Sequence, residues 1–216
     1  MSSESMNFES VDTVYRSRIT LLDILEERGY NVEPFKKFSP VEITLALDNI
    51  EGLDLEIQHK DDEERKCIIT YHRISRQGLS TKNREKTVEF FKERVTNPEK
   101  TEIYVLQFEP IVEVHHEFSY RQWNENKYKI YFFCMPYIVV NPLRHEFVPK
   151  HEILPKEEHA ELMSKLYMTA KSQFPIIRYH IDPITRCIGA SPGDIIKITR
   201  ASPSAGEYIV YRVCLP

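Results

Sequence analysis

An α/β N-terminal domain joined to a smaller, turn-rich C-terminal domain is the fold class this sequence predicts, on three observations. Apolar runs with strand character alternate with helical periodicity over residues 9–133, the pattern of a small α/β domain. Pro136, Asn141-Pro142 and Pro149 then interrupt the pattern and mark a boundary near residue 142. From residue 145 to 212, Pro, Gly and fixed turns recur around one amphipathic stretch and two strands, which suits a small, shape-defined docking domain. The predicted domains are therefore 1–142 and 143–216 of the 216 residues.

Val11, Val14, Tyr15, Ile19, Leu22 and Leu25 recur at three- and four-residue steps, so their spacing predicts a helix over 9–28. Gly29 follows where a left-handed residue closes a helix. Ser39-Pro40-Val41-Glu42 is a second start signal, with Ser39 as cap, Pro40 in the first turn and Glu42 reaching back as in a capping box. A short helix to Leu47 follows from it. Leu53-Asp54-Leu55-Glu56-Ile57 alternates apolar and charged residues and reads as a strand. Residues 60–66 form a charged turn, and 67–74 return as the second strand of a hairpin. A helix over 81–95 carries Val88, Phe91 and Val95 on one face, and 103–108 is a strong strand. Residues 111–114 read as a strand followed by a polar loop around Trp123, and 128–133 as a further strand.

Beyond the boundary, Leu154-Pro155-Lys156-Glu157-Glu158 opens a helix whose buried face is Leu162, Met163, Leu166, Tyr167 and Ala170. Strands are predicted at 195–200 and 208–213, joined by Ser202-Pro203-Ser204-Ala205-Gly206. No internal repeat or low-complexity tail is present.

The net charge of −4 excludes a nucleic-acid binder of the globally basic kind, so any DNA contact is local or supplied by a partner. Cys67, Cys134, Cys187 and Cys214 form no C-x-x-C pair, which argues against a zinc ribbon and fits reduced, buried thiols in a cytosolic or nuclear protein. The N-terminus has neither the basic nor the apolar region of a signal peptide. The longest apolar stretch, 130–140, is too short to span a bilayer, so no membrane partner is expected.

Several clusters invite a chemical reading and fail it. His145 and His151 are six residues apart, which is not the i, i+4 face of a helical zinc site, and no Cys is near; a hydrogen-bonding role is favoured. Asp61-Asp62-Glu63-Glu64 lacks the alternating ligands and the Gly of a calcium loop and reads as a hairpin tip. His115-His116-Glu117 with Cys134 has no nucleophile elbow or oxyanion loop, and adjacent histidines of a strand point to opposite faces. Gly189 to Gly193 is followed by Asp194 and a strand, where a phosphate loop needs Lys and a helix. No catalytic residue, metal or cofactor is predicted. Arg73, Arg76, Lys82, Arg84 and Lys86 form the one basic stretch, a candidate for DNA phosphate contact whose plain alternative is a solvated face.

The series His145-Glu146-Phe147-Val148-Pro149-Lys150-His151, then Phe174-Pro175-Ile176-Ile177 and Asp182-Pro183, continues with Gly189, Gly193-Asp194, Lys197 to Ser202 and Tyr211-Arg212-Val213. It resembles the C-terminal domain of the shared fifth subunit of eukaryotic RNA polymerases, which has a small archaeal polymerase subunit as its relative. That family's pattern is H-x-L-V-P-K-H, a helix, L-P-x-I and D-P, G-x-x-x-G-D/E-V, I-x-R-x-S and Y-R. In the N-terminal part only Arg28-Gly29-Tyr30 and Tyr137 to Asn141 resemble the family. A divergent member from a distant eukaryote or a large DNA virus fits this distribution.

The resemblance implies an α/β jaw domain plus a small α+β assembly domain, in a non-catalytic subunit of a multisubunit DNA-dependent RNA polymerase. It implies docking on the largest subunit beside neighbouring small subunits, with the jaw near downstream DNA. DNA engagement is then weak and confined to the assembled enzyme. The residues implied at the partner interface are His145, Val148, Pro149, Lys150, His151, Asp182, Pro183, Arg200 and Arg212. Lys150, Arg200 and Arg212 are expected to face or organise the docking surface. The implied location is the nucleus, or a cytoplasmic viral factory or virion for a virus-encoded chain. The alternative is a nuclease-like enzyme in the α/β half with the C-terminal domain as a tether. It needs clustered carboxylates and a Lys, such as Asp54, Glu56 and Lys66, although Asp54 and Glu56 alternate with apolar residues like the wet face of a strand.

Overall fold

The structure is a computed structural model that describes residues 8–37, 39–46, 50–71, 79, 84–202, 204 and 206–216. It is mixed α/β with two four-stranded sheets, in two compact units, Met1–Asn141 and Pro142–Pro216.

Helix α1 (Phe8–Glu27) opens the first unit. It ends because Gly29 takes φ +90°. The Gly29 amide then donates to Glu26 O (2.9 Å) and the Tyr30 amide to Leu25 O (3.0 Å), which together satisfy the last free carbonyls. A Cβ on residue 29 would lie 2.7 Å from His59 Nε2, so the site excludes a side chain twice over. Gly29→Ala is expected to cost about 1–3 kcal/mol through the left-handed backbone and the clash, read as a lowered thermal midpoint. Helix α2 (Pro40–Ala46) begins on a complete capping box. Ser39 N–H donates to Glu42 Oε2 (2.6 Å), and Glu42 N–H donates to Ser39 Oγ (3.3 Å).

The sheet of this unit has the order β1-β2-β3-β4. Strands β1 (Leu55–Gln58) and β2 (Lys66–Thr70) form the expected antiparallel hairpin; residues 72–74, read as its continuation, lie outside the described residues. Strands β3 (Thr101–Gln107) and β4 (Lys129–Cys134) join in parallel. Helix α3 (Arg84–Arg94) connects β2 to β3, and α4 (Glu113–Asn126) connects β3 to β4, as parallel pairing requires. Ile68, Ile103, Val105, Ile130 and Phe132 line one face and pack with Phe91, Val95 and Phe118 of the crossover segments. Cys67, Ile69, Glu102, Tyr104, Tyr131 and Phe133 alternate onto the other face, and all are buried.

Helix α4 corrects the expectation of a strand at 111–114 and a loop around Trp123. Its buried stripe is His115, Phe118, Ser119 and Gln122. That spacing is helical, but three of the four residues are polar, so hydrophobic periodicity does not show it. Each polar member has a partner: the His115 ring lies 3.1 Å from the Gln107 side chain, Ser119 Oγ donates to Ile130 O, and Asn126 donates to Gln122 Oε1 at 2.8 Å. His115 is buried while His116 is half-buried, so the pair diverges from a helix rather than a strand.

A second polar feature of this unit, at the residue after α1, is ionic. Arg28 Nη2 donates to both Glu102 oxygens (2.8 and 2.7 Å), and Arg28 Nη1 donates to Tyr104 Oη. Tyr104 Oη in turn donates to Glu102 (3.1 Å). Burial pushes the Glu102 carboxyl up, but Arg28, Lys129 and Arg65 outweigh it and hold it below its usual value.

In the second unit, β5 (Lys150–Ile153), β7 (Ile195–Ser202), β8 (Gly206–Leu215) and β6 (Ile176–Arg178) lie in that order. Strands β7 and β8 form the predicted hairpin, longer than expected at both strands; β5 and β6 are short edge strands that periodicity does not reveal. On one face of the sheet Leu154, Phe174, Ile195 and Val213 form a buried cluster, with Leu162 and Met163 packed against it; Ile196, Ile198 and Cys214 alternate onto the other face and are buried as well. The helix expected to run to Ala170 is only α5 (His159–Lys165). Tyr167 takes φ 53°. With Tyr167 N–H donating to Ser164 O (3.1 Å) and Met168 N–H to Met163 O (2.8 Å), the helix closes there. Leu166, Tyr167 and Ala170 therefore leave the buried face, and Tyr167 is 94% exposed.

Candidate docking surface of the C-terminal unit

The unit opens with a 3-10 turn, Pro142–Arg144. Val148 N–H donates to His145 O (2.9 Å), and Phe147 N–H donates to His145 Nδ1 (3.2 Å). His151 Nδ1 sits 2.7 Å from Pro149 O. Each histidine thus fastens its own turn. Among the described residues no cluster of three or more His, Cys, Asp or Glu is arranged to hold a metal ion. Phe147 projects to solvent at 84% exposure.

Asp182-Pro183 and Gly189 bracket helix α6 (Pro183–Ile188). Asp182 Oδ1 accepts from Ile184 N–H (2.8 Å), and Pro183 occupies the first turn, where no N–H is needed. Gly189 closes the helix at φ 72°, with the Ala190 amide donating to Thr185 O (2.9 Å). The second glycine, Gly193, takes φ 94° inside a turn in which Asp194 N–H donates to Ser191 O (3.1 Å). Asp194 Oδ2 accepts from the Ser191 amide (2.8 Å), so the Gly-rich loop hydrogen-bonds itself and offers a carboxylate where a phosphate would sit. These residues set backbone shape.

The sheet separates the charged candidates. Lys150 pairs with Thr199, and His151 pairs with Ile198, which faces Val210. Arg200 is opposite Tyr208, and Arg212 is opposite Ile196. Since side chains alternate along a strand, His151, Arg200 and Arg212 share one face, and Lys150 lies on the other with Glu152, its partner at 2.7 Å. Arg212 Nη1 also donates to Ile176 O (2.9 Å), tying β8 to β6. Val148 and Pro149 are half-buried and Pro183 is exposed.

Sequence reasoning did not single out Tyr208 and Ile209, named Phe147 only within a motif and placed Tyr167 on a buried face, although all four are large and exposed. Exposure of an aromatic is not written in local periodicity, because it depends on what the fold leaves uncovered.

In the N-terminal unit the nuclease candidates do not converge. Asp54 accepts from Thr70 Oγ1 (3.1 Å) and Tyr71 N–H (3.0 Å) and pairs with Arg94, while Glu56 pairs with Lys66 at 2.6 Å. Asp54 ties β1 to β2 and α3, and Glu56 with Lys66 spans the hairpin. All four cysteines are free and buried, and burial pushes the Cys67 thiol well up and the Cys214 thiol up to about 12. Of the basic stretch, Arg73, Arg76 and Lys82 lie outside the described residues, and Arg84 and Lys86 are described only as backbone of α3.

Residues 140–214 match the family described as RNA polymerase Rpb5, C-terminal domain. A Dictyostelium discoideum protein named DNA-directed RNA polymerases I, II, and III subunit rpabc1 is 31% identical over 209 residues, 96% of this chain and 100% of that protein. A Sulfurisphaera tokodaii protein named DNA-directed RNA polymerase subunit Rpo5 is 49% identical over 75 residues, 35% of this chain and 87% of its own length. The Archaeoglobus fulgidus protein of that name is 54% identical over 69 residues, 32% of this chain and 88% of its own length.

Proposed function

Because this chain belongs to the family of the fifth subunit of DNA-directed RNA polymerases, we propose that it docks on the largest subunit of such an enzyme through residues 142–216. The chain is a non-catalytic subunit of a multisubunit polymerase. One observation supports the docking site. The archaeal relatives are themselves named polymerase subunits, yet matches of 69 to 75 residues cover 87–88% of their length, and the C-terminal family match spans 140–214. A stretch of that size is therefore enough to make a polymerase subunit. The face bearing His151, Arg200 and Arg212 and the turns set by Asp182, Pro183 and the two glycines are the surface we assign to the partner, with His145, Val148, Pro149 and Lys150 at its margin. A nuclear location goes with this reading, or a viral factory or virion for a virus-encoded chain.

The N-terminal unit is, on the same reading, a jaw beside downstream DNA. Residues 1–141 carry 25 Asp and Glu against 19 Lys and Arg, whereas 142–216 carry 8 against 10. The acidic excess argues for contact that is local and made only inside the assembled enzyme, through residues such as Arg73, Arg76, Lys82, Arg84 and Lys86. The free protein is expected to show no tight duplex binding near physiological salt, measured by anisotropy. Changing those five residues to Ser is expected to weaken DNA engagement by the assembled polymerase, with a shallower salt dependence.

The test of docking is co-purification of tagged protein with polymerase subunits. The full chain and a chain lacking 1–141 are expected to bring down the largest subunit, and a chain lacking 142–216 to fail. Capture by residues 1–141 alone refutes the assignment.

A further inference from the structure

The β7–β8 hairpin outruns its neighbours. Strand β6 pairs only with Val213 to Leu215, so among the described residues no strand lies beside β8 from Gly206 to Tyr211 on that side. Val213 N–H donates to Pro175 O (2.9 Å) on the β6 side, while Cys214 N–H donates to Asp194 O (2.8 Å) on the β7 side. By strand alternation, the N–H and C=O groups of Glu207, Ile209 and Tyr211 point to the β6 side, and those of Tyr208 and Val210 point into the hairpin. Among the described residues, no partner reaches the first set. The notch is written into the chain. Pro175 has no N–H to extend β6, and the segment before it is a 3-10 turn, Lys171–Gln173, with Phe174 turned into the core.

Exposed edges are ordinarily blunted by Lys, Pro or a bulge. Here Gly206 to Tyr211 contains no Lys or Pro, and its register against β7 is unbroken from Ser202–Gly206 to Ile195–Val213, so there is no bulge. Tyr208 is 59% and Ile209 43% exposed. The single charge is Glu207.

We propose that this edge receives an extended segment of a partner polymerase subunit as an added β-strand. The edge offers alternating backbone donors and acceptors spaced by two residues, about 7 Å, which an extended polypeptide matches and a helix or nucleic acid does not. The incoming segment carries a basic side chain opposite Glu207 and apolar ones beside Ile209 and Tyr211, on the face shared by those three residues. The inference rests on the reading that residues 142–216 dock on the polymerase, and it specifies how.

Amide hydrogen exchange at single-residue resolution, on the full chain free and in the purified polymerase, tests it. The amides of Glu207, Ile209 and Tyr211 are expected to exchange fast in the free chain and at least about tenfold slower in the complex, with Tyr208 and Val210 little changed. Ile209→Pro removes an edge amide that makes no ladder bond, so it is expected to lower co-purification about tenfold with a similar thermal midpoint. If the chain co-purifies but the three amides stay fast, strand addition is wrong and docking stands. If they are already slow in the free chain in a concentration-dependent way, a second copy fills the edge and the proposal is overturned. If the chain does not co-purify, the docking reading fails and this inference with it.

Discussion

Glu102→Ala is expected to destabilise the N-terminal unit by about 3–5 kcal/mol, because it leaves Arg28 buried without its anion. Arg28 and Glu102 side chains are only 15% and 4% exposed, so water cannot replace the lost partner. Tyr104 loses an acceptor in the same step. Chemical denaturation followed by the fluorescence of Trp123, in α4 of the same unit, measures it. The pH dependence has a definite sign. Glu102 has a folded pKa below its ordinary value, so its contribution is fully present above the unfolded value of about 4.3 and is lost as pH falls through the depressed folded value. The wild type is therefore expected to lose stability on acidification in that window, and Glu102→Gln to show a shallower acid limb from a lower starting point. Polymerase co-purification by Glu102→Ala is expected to persist, because docking is assigned above to residues 142–216.

Phe174→Ala is expected to have the opposite profile. Phe174 is 3% exposed in the cluster it forms with Leu154, Ile195 and Val213, and truncating a buried Phe costs about 3–5 kcal/mol. A unit of this size has a total margin of about 4–11 kcal/mol, so much of it is removed. Loss of the C-terminal unit's folding transition, together with loss of co-purification, is the expected result. Phe174→Leu, which is close in volume, is expected to cost less than about 1.5 kcal/mol and to retain binding. Full co-purification by a Phe174→Ala protein shown to be unfolded between 142 and 216 would place docking elsewhere.

Elements closed by local chemistry were legible in the sequence. Ser39 with Glu42 and Gly29 after α1 each act within a few residues and appear in the structure as expected, whereas the strand read over Leu53 to Ile57 begins only at Leu55, because Leu53 closes a 3-10 turn, Ile50–Leu53. Helix α4 was not legible, because its inward residues are His115, Ser119 and Gln122, polar groups that are buried only because Gln107, Ile130 and Asn126 satisfy them. The premature end of α5 was not legible either, since Tyr167 has no intrinsic preference for the left-handed region that Gly29 and Gly189 signal.

By itself the sequence determined the family, through an ordered series of residues from His145 to Arg212, and the shaping role of Asp182-Pro183 and the glycines, whose backbone requirements are intrinsic. Only the tertiary structure decided which side of the sheet each charge occupies. Register divides Lys150 from His151, Arg200 and Arg212, and register is a long-range pairing that no local window contains. The bare edge at Glu207 and Ile209 has the same origin. Pro175 stops one strand, but that a neighbouring strand is thereby left unpaired follows only from where the chain brings β6 and β8 together.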